Sequence, residues 1–454
     1  MIAKTVREIR FVATSFFRIV FIEMKACCSR IQLGLFLLGV VFLLGKIGIE
    51  TASIRIATQD EIHIQMAIDN ADQGPANRIR DFQIGRIYAD WKFDFLEWLL
   101  SVSQDGWVAL VRALAFGLAA GSVGMFVWAW SRDGRFVRLT ILAAVGWLAV
   151  TVSYQAFLSC PQLWLGWAGV WLMGALALQP DRPRYRIGMV VAFSLALMIH
   201  ESNAVFIIWP WLVRWARFGA GDIRKTLWRS SVWCLLVLFI YGGFSLLLRM
   251  QVLAEDSYAG ATIAINGKSI IYAWQVYTLS GLPGLESWVS GKTSAFGSLW
   301  LAPDMWFTRL WRGATFWDII GATIVGVLFW LWLPEGRAKQ PDVKARRLGP
   351  FVAIMLFAAY APNAILVLTP KYQVWAHHHM WPYYYTSMSY LAWVVLGVGL
   401  AVVAYRRTNS IVSRRIMRGV FAGLAMSLVL AAASVTNETV SALQGKPFTH
   451  FIFR

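Results

Sequence analysis

Two acids and an imidazole stand together in the stretch IATQDEIHIQ, where Asp60 and Glu61 are adjacent and His63 follows two residues on. They come just after the first long apolar run of the chain. A carboxylate at a membrane–water interface can serve as a general base if partial desolvation raises its affinity for a proton. The same residues also have a plain structural use. Thr58 and Glu61 have the spacing of a capping box, in which each side chain satisfies a backbone N–H at a helix start. Acids in a first helical turn are also favoured by the helix dipole, which opposes the effect of desolvation. Capping accounts for Glu61 and leaves Asp60 as the first candidate base, with Glu61 second.

A second constellation lies in TPKYQVWAHHHMWPYYYTSMSY, where Lys371 precedes His377, His378 and His379, and Tyr383 opens a run of three tyrosines. Tyr and Trp at a span boundary commonly anchor it in the interface. Three consecutive histidines have no such explanation and could hold a phosphate or sugar hydroxyls. They could also hold a divalent metal, although the His-x-x-x-His spacing of a helical zinc site is absent. A third constellation, MIHESN, sets His200 and Glu201 between two short apolar stretches. Such groups are costly in a membrane unless they face a cavity or sit in an exposed polar turn. Arg249 closes another apolar stretch. With Lys371 it could hold an anionic head group through charge-assisted bonds, or it could snorkel to lipid phosphate.

These residues need a scaffold, and the composition identifies its kind. The 454 residues are 58% hydrophobic and 15% charged, against about 25% charged in soluble domains. Several nearly uncharged windows reach the roughly 20 residues that cross a hydrocarbon core. The fold expected is an all-α polytopic membrane protein, one integral-membrane domain over 1–454, because helices satisfy their own backbone within lipid. Eleven spans are expected, near 32–50, 107–130, 138–158, 161–179, 186–200, 202–216, 229–248, 317–334, 349–369, 383–404 and 417–434. The pair meeting at His200–Glu201 is drawn as two short helices, because basic stretches on both sides belong on one face of the membrane.

The net charge of +18 does not point to nucleic acid, since the basic residues sit in short loops between apolar spans. Segments 1–31, 131–138, 180–187, 214–229, 335–348 and 405–418 hold 27 of the 42 Lys and Arg, whereas 17 of the 24 acids and all six His fall on the other side. The positive-inside rule then puts the N-terminus in the cytoplasm and the C-terminus outside. Residues 1–31 read as a basic interfacial segment. Two outer loops, 51–106 and 249–316, are long enough to be functional, with amphipathic surface helices expected in them. The four Cys show no metal spacing, and the Asn437-Glu438-Thr439 sequon is a common chance match. No Gly-rich phosphate loop, HExxH or GxSxG occurs, which argues against ATP hydrolysis and against those two hydrolase classes.

The layout resembles the GT-C superfamily of integral-membrane glycosyltransferases, which use polyprenyl-phosphate sugars. The resemblance is carried by Asp60 and Glu61 at the head of the first outer loop, by the His200–Glu201 hairpin tip and by the AHHHMWPYYY stretch. The chain departs from well-known members in lacking a soluble C-terminal domain. The resemblance implies a polyprenyl-phosphate-linked sugar donor lying between helices among membrane lipids, and a glycan, lipid or protein acceptor arriving from the outer face. It implies that Asp60 or Glu61 takes the acceptor proton, and that Arg249, Lys371 and His377–His379 balance the leaving phosphate. His63, His200, Glu201 and Tyr383 would orient the acceptor. The resemblance fixes no cofactor, and a divalent metal stays open. A bacterial inner membrane is the expected location. The rival expectations are a cell-envelope polysaccharide polymerase or ligase, and a transporter or lipid flippase.

Overall fold

Peptide groups in an apolar environment must bond within their own segment, and every regular element among the described residues is helical. The computed structural model describes residues 30–52, 98, 105–148, 162–250, 266–283, 314–333, 348–377, 383–408 and 410–443. In chain order the helices are α1 (Arg30–Thr51), α2 (Asp105–Ser131), α3 (Gly134–Gly146), α4 (Gln162–Ala177) and α5 (Pro183–Ile199). A 3-10 helix (Glu201–Ile208) runs directly into α6 (Trp209–Phe218), followed by α7 (Ala220–Arg249) and α8 (Gly267–Leu279). Then come α9 (Phe316–Trp332), α10 (Leu348–Leu366), α11 (Pro370–His377), α12 (Tyr383–Arg407) and α13 (Ile411–Leu443).

Five of these helices, α1, α2, α10, α12 and α13, contain stretches long and apolar enough to cross a membrane. Helices α4 and α9 and the Val232–Leu247 part of α7 are shorter apolar helices. The described residues are therefore all-α, and the protein is embedded in a membrane.

Local chemistry sets the breaks. Helix α5 stops at His200, whose extended backbone gives way to the 3-10 helix. Helix α6 stops at Gly219, whose φ of +88° lies in the region that glycine tolerates without penalty. The basic stretch that follows, expected as part of a loop over 214–229, is helical and belongs to α7. Asp133 caps α3 by accepting from the Arg135 N–H at 2.9 Å.

Aromatic packing around small residues fills the interior. Trp164, Trp167, Trp171, Trp209 and Trp332 are fully buried. Phe126 on α2 stacks on Trp209 at 5.8 Å and meets Trp171 edge-on at 5.1 Å. Gly174 on α4 makes room for this group, since a Cβ there would lie 2.4 Å from Trp209 Nε1. Helices gain little hydrophobic drive against lipid, so close fit of this kind carries their association.

The helix ends gather into two sets. Arg132, Asp133, Gln179, Arg214, Arg406 and Arg418 lie at one end. There Arg406 pairs with Asp133, and Arg214 Nη1 donates to the Ala177 and Gln179 carbonyls at 2.6 and 3.2 Å. Arg418 donates to the Leu333 carbonyl, and the Arg138 guanidinium lies 4.9 Å over the Trp332 ring. Each of Arg214 and Arg418 thus meets carbonyls at the C-terminal end of a helix, where cations are favoured. The opposite end holds His200, α8, α11, the start of α9 and the ends of α1, α10 and α13.

Candidate functional site

The polar groups of that opposite end fall into three clusters. The first joins α1, α9 and α13. Thr315 and Asp318 form a capping box at the start of α9: Asp318 Oδ2 accepts from the Thr315 N–H at 2.6 Å and from Thr315 Oγ1 at 2.8 Å. The same carboxylate pairs through Oδ1 with Lys46 and accepts from Asn437 Nδ2 at 2.9 Å through Oδ2. Lys46 also bonds Glu50 one turn on at 2.7 Å. Asp318 is wholly buried, and Lys46 and Glu50 are 11% and 18% exposed. Glu50 Oε2 is buried without a hydrogen-bond partner, so two carboxylates share a single lysine.

The second cluster surrounds His200. Its Nδ1 accepts from the Ser202 N–H at 3.2 Å and lies 2.9 Å from Ser202 Oγ, so the side chain caps the 3-10 helix. An acceptor Nδ1 puts the ring proton on Nε2. Asn203 is buried and donates to the Ala196 carbonyl at 2.7 Å. A Cβ on Gly166 of α4 would touch Ile199 and Asn203, so α4 closes against this turn.

The third cluster joins α8, α10, α11 and α12. Asn363 Nδ2 donates to Thr278 Oγ1 at 3.0 Å and to Ser389 Oγ at 3.2 Å. Ser389 Oγ in turn donates to the Ala359 carbonyl at 2.6 Å. This group sits beside Pro362, an interior helix proline whose nitrogen has no hydrogen to donate. Lys371 lies in the first turn of α11, 5.9 Å from the Tyr372 ring centroid.

The expected site residues distribute as follows. His200 and Lys371 stand at this end of the bundle, on different elements. Glu201 opens the 3-10 helix, Arg249 closes α7, His377 closes α11 and Tyr383 opens α12; their side chains are outside the description. Asp60, Glu61, His63, His378 and His379 lie outside the described residues. No group of three metal-ligating side chains occurs among the described residues.

The ion-paired group is absent from the candidates read from the sequence. Glu50 and Asp318 converge on Lys46 near the ends of their apolar helices, and Arg112 is fully buried on α2. The signals were present as the Lys46–Glu50 spacing of four and the Thr315–Asp318 cap signature, each near the end of an apolar run. Comparison with protein families, with curated proteins and with solved structures finds no match for this chain.

Proposed function

We propose that the chain is a multi-pass membrane glycosyltransferase that moves a sugar from a polyprenyl-phosphate donor to an acceptor on the outer face of a bacterial inner membrane. In this reading the eleven alternating helical runs are eleven crossings, with the arginine-rich end in the cytoplasm. The observation that carries the reading is the segregation of chemistry. His200, Lys371, helix α11, the C-terminal end of α7 and the N-terminal end of α12 gather at the end away from Arg214, Arg406 and Arg418. That arrangement supports a reaction at one membrane face, fed by a lipid-borne donor.

The reaction balances without a cofactor. The acceptor oxygen forms a bond to the anomeric carbon, its proton passes to the Asp60 carboxylate, and the bond from that carbon to the lipid phosphate breaks with the electron pair on the phosphate oxygen. Lys371, Arg249 and His377–His379 face the growing phosphate charge, a form of stabilisation that is often the largest catalytic contribution. Glu61 is the second candidate base, and His63, His200, Glu201 and Tyr383 orient the acceptor.

The test uses purified protein and a radiolabelled polyprenyl-phosphate sugar. Transfer of label to acceptor is expected, and Asp60→Asn should abolish it in protein that still folds. Near-normal turnover of that variant refutes the base, and absence of transfer by the unaltered protein refutes the reading. The buried Lys46–Glu50–Asp318 group favours a transporter as the second reading. Label that crosses sealed vesicles without transfer would select it. Long oligomeric products would select a polymerase or ligase.

A further inference from the structure

Helix α8 belongs to the second long loop, yet it is built into the bundle. Its start is exposed at Gly267 and Lys268, while Ala273, Val276, Tyr277 and Thr278 towards its far end are buried. Here the far end is held by directional bonds to three other helices. Trp393 Nε1 on α12 donates to the Thr278 carbonyl at 2.9 Å, which also accepts from the Gly281 N–H at 3.3 Å. Asn363 Nδ2 on α10 donates to Thr278 Oγ1 at 3.0 Å. Going the other way, Trp274 Nε1 donates to the Tyr360 carbonyl of α10 at 2.7 Å, and the Tyr277 hydroxyl donates to the Tyr372 carbonyl of α11.

The last of these bonds ends on the residue beside Lys371. Helix α11 is eight residues long, well short of the roughly 12–15 at which an isolated helix begins to hold itself together. Ala376 is buried with Ala273, Val276 and Tyr277 of α8 in one apolar cluster, against which Tyr372 packs. Burial, reinforced by the neighbouring Tyr372, pushes the Tyr277 phenol well above its ordinary value, so it stays a hydrogen-bond donor at physiological pH.

We infer that α8 is a strut for α11 and that Tyr277 is a positioning residue for Lys371. The strut stands on geometry alone, whereas the role given to Lys371, holding the donor phosphate, rests on the glycosyltransferase reading.

The experiment has a readout independent of activity. Nitroxide labels go on Lys268→Cys and Val374→Cys, both exposed positions, in full-length protein whose four native cysteines are replaced by alanine. The distance distribution should be narrow with Tyr277 and clearly broader with Tyr277→Phe. In the transfer assay Tyr277→Phe should raise the donor KM by up to about tenfold, the equivalent of one lost hydrogen bond, with kcat within about twofold. Lys371→Ala should raise the same KM, and the double variant should add little to it. If Tyr277→Phe does not fold, Trp274→Phe loses the bond to Tyr360 and provides the same two readouts. An unchanged distribution overturns the strut. A broadened distribution with unchanged KM in active protein overturns the link to Lys371. Unaltered protein that transfers no sugar overturns the enzymatic reading, and the labels still decide the strut.

Discussion

Lys46 on α1 and Asp318 on α9 form an ion pair in which the carboxylate is wholly buried, and Glu50 bonds the same ammonium at 2.7 Å. Lys46 is therefore the counter-charge for two acids. Asp318 also binds Asn437, so the pair ties α1, α9 and α13 together. Removing one partner of a buried pair leaves an uncompensated charge, which costs about 3–5 kcal/mol. Lys46→Met should lower stability by about that much, and adding Glu50→Gln and Asp318→Asn should restore most of it. Thermal unfolding in detergent measures both. Equal stability of the single variant and the unaltered protein would show that the pair contributes nothing.

The opposite end has its own stabilising contacts. Arg214 and Arg418 are buried and donate to carbonyls at the C-terminal ends of α4 and α9. Hydrogen bonds from charged groups contribute about 1.5–3 kcal/mol. Arg418→Ala should cost that order of stability without altering sugar transfer per folded molecule, because it lies far from the proposed chemistry. Unfolding followed beside specific activity separates the two. A loss of specific activity with unchanged stability would contradict the assignment.

Much of this architecture can be read from local sequence. Apolar runs bounded by arginines locate the helices, and the clash between two basic flanks places the break that the structure has at His200. The capping-box spacing at Thr58–Glu61 lies outside the described residues, and a box is present at Thr315–Asp318. What local pattern could not reveal is the second use of that cap. Asp318 meets Lys46 and Asn437 only because three helices distant in sequence end side by side. Charge pattern also misjudged the stretch after Gly219. Basic residues mark the membrane face, but they are good helix formers and continue α7 instead of making a loop.

Alternating helix directions make a topological prediction. With eleven crossings, Arg135 and Arg415 lie on one side and Lys268 on the other, and all three positions are exposed. Single cysteines at 135, 268 and 415 should divide accordingly. In right-side-out spheroplasts, a membrane-impermeant maleimide should label only Lys268→Cys. Labelling of Arg135→Cys or Arg415→Cys in sealed spheroplasts would require a different number or direction of crossings.

His200 performs a structural task that can be separated from chemistry. Its Nδ1 caps the 3-10 helix by accepting from the Ser202 N–H at 3.2 Å, which puts the ring proton on Nε2. Asparagine caps helices about as well as any residue, whereas alanine loses about 1 kcal/mol. His200→Asn should therefore unfold near the unaltered protein, and His200→Ala should be less stable by about that amount. If the imidazole orients the acceptor, both variants should lose transfer alike, with the loss expressed in acceptor KM or kcat and the donor KM unchanged. Paired unfolding and steady-state measurements separate the two roles. Full transfer by His200→Asn, with a deficit in His200→Ala that follows its stability, would make His200 a cap and nothing more.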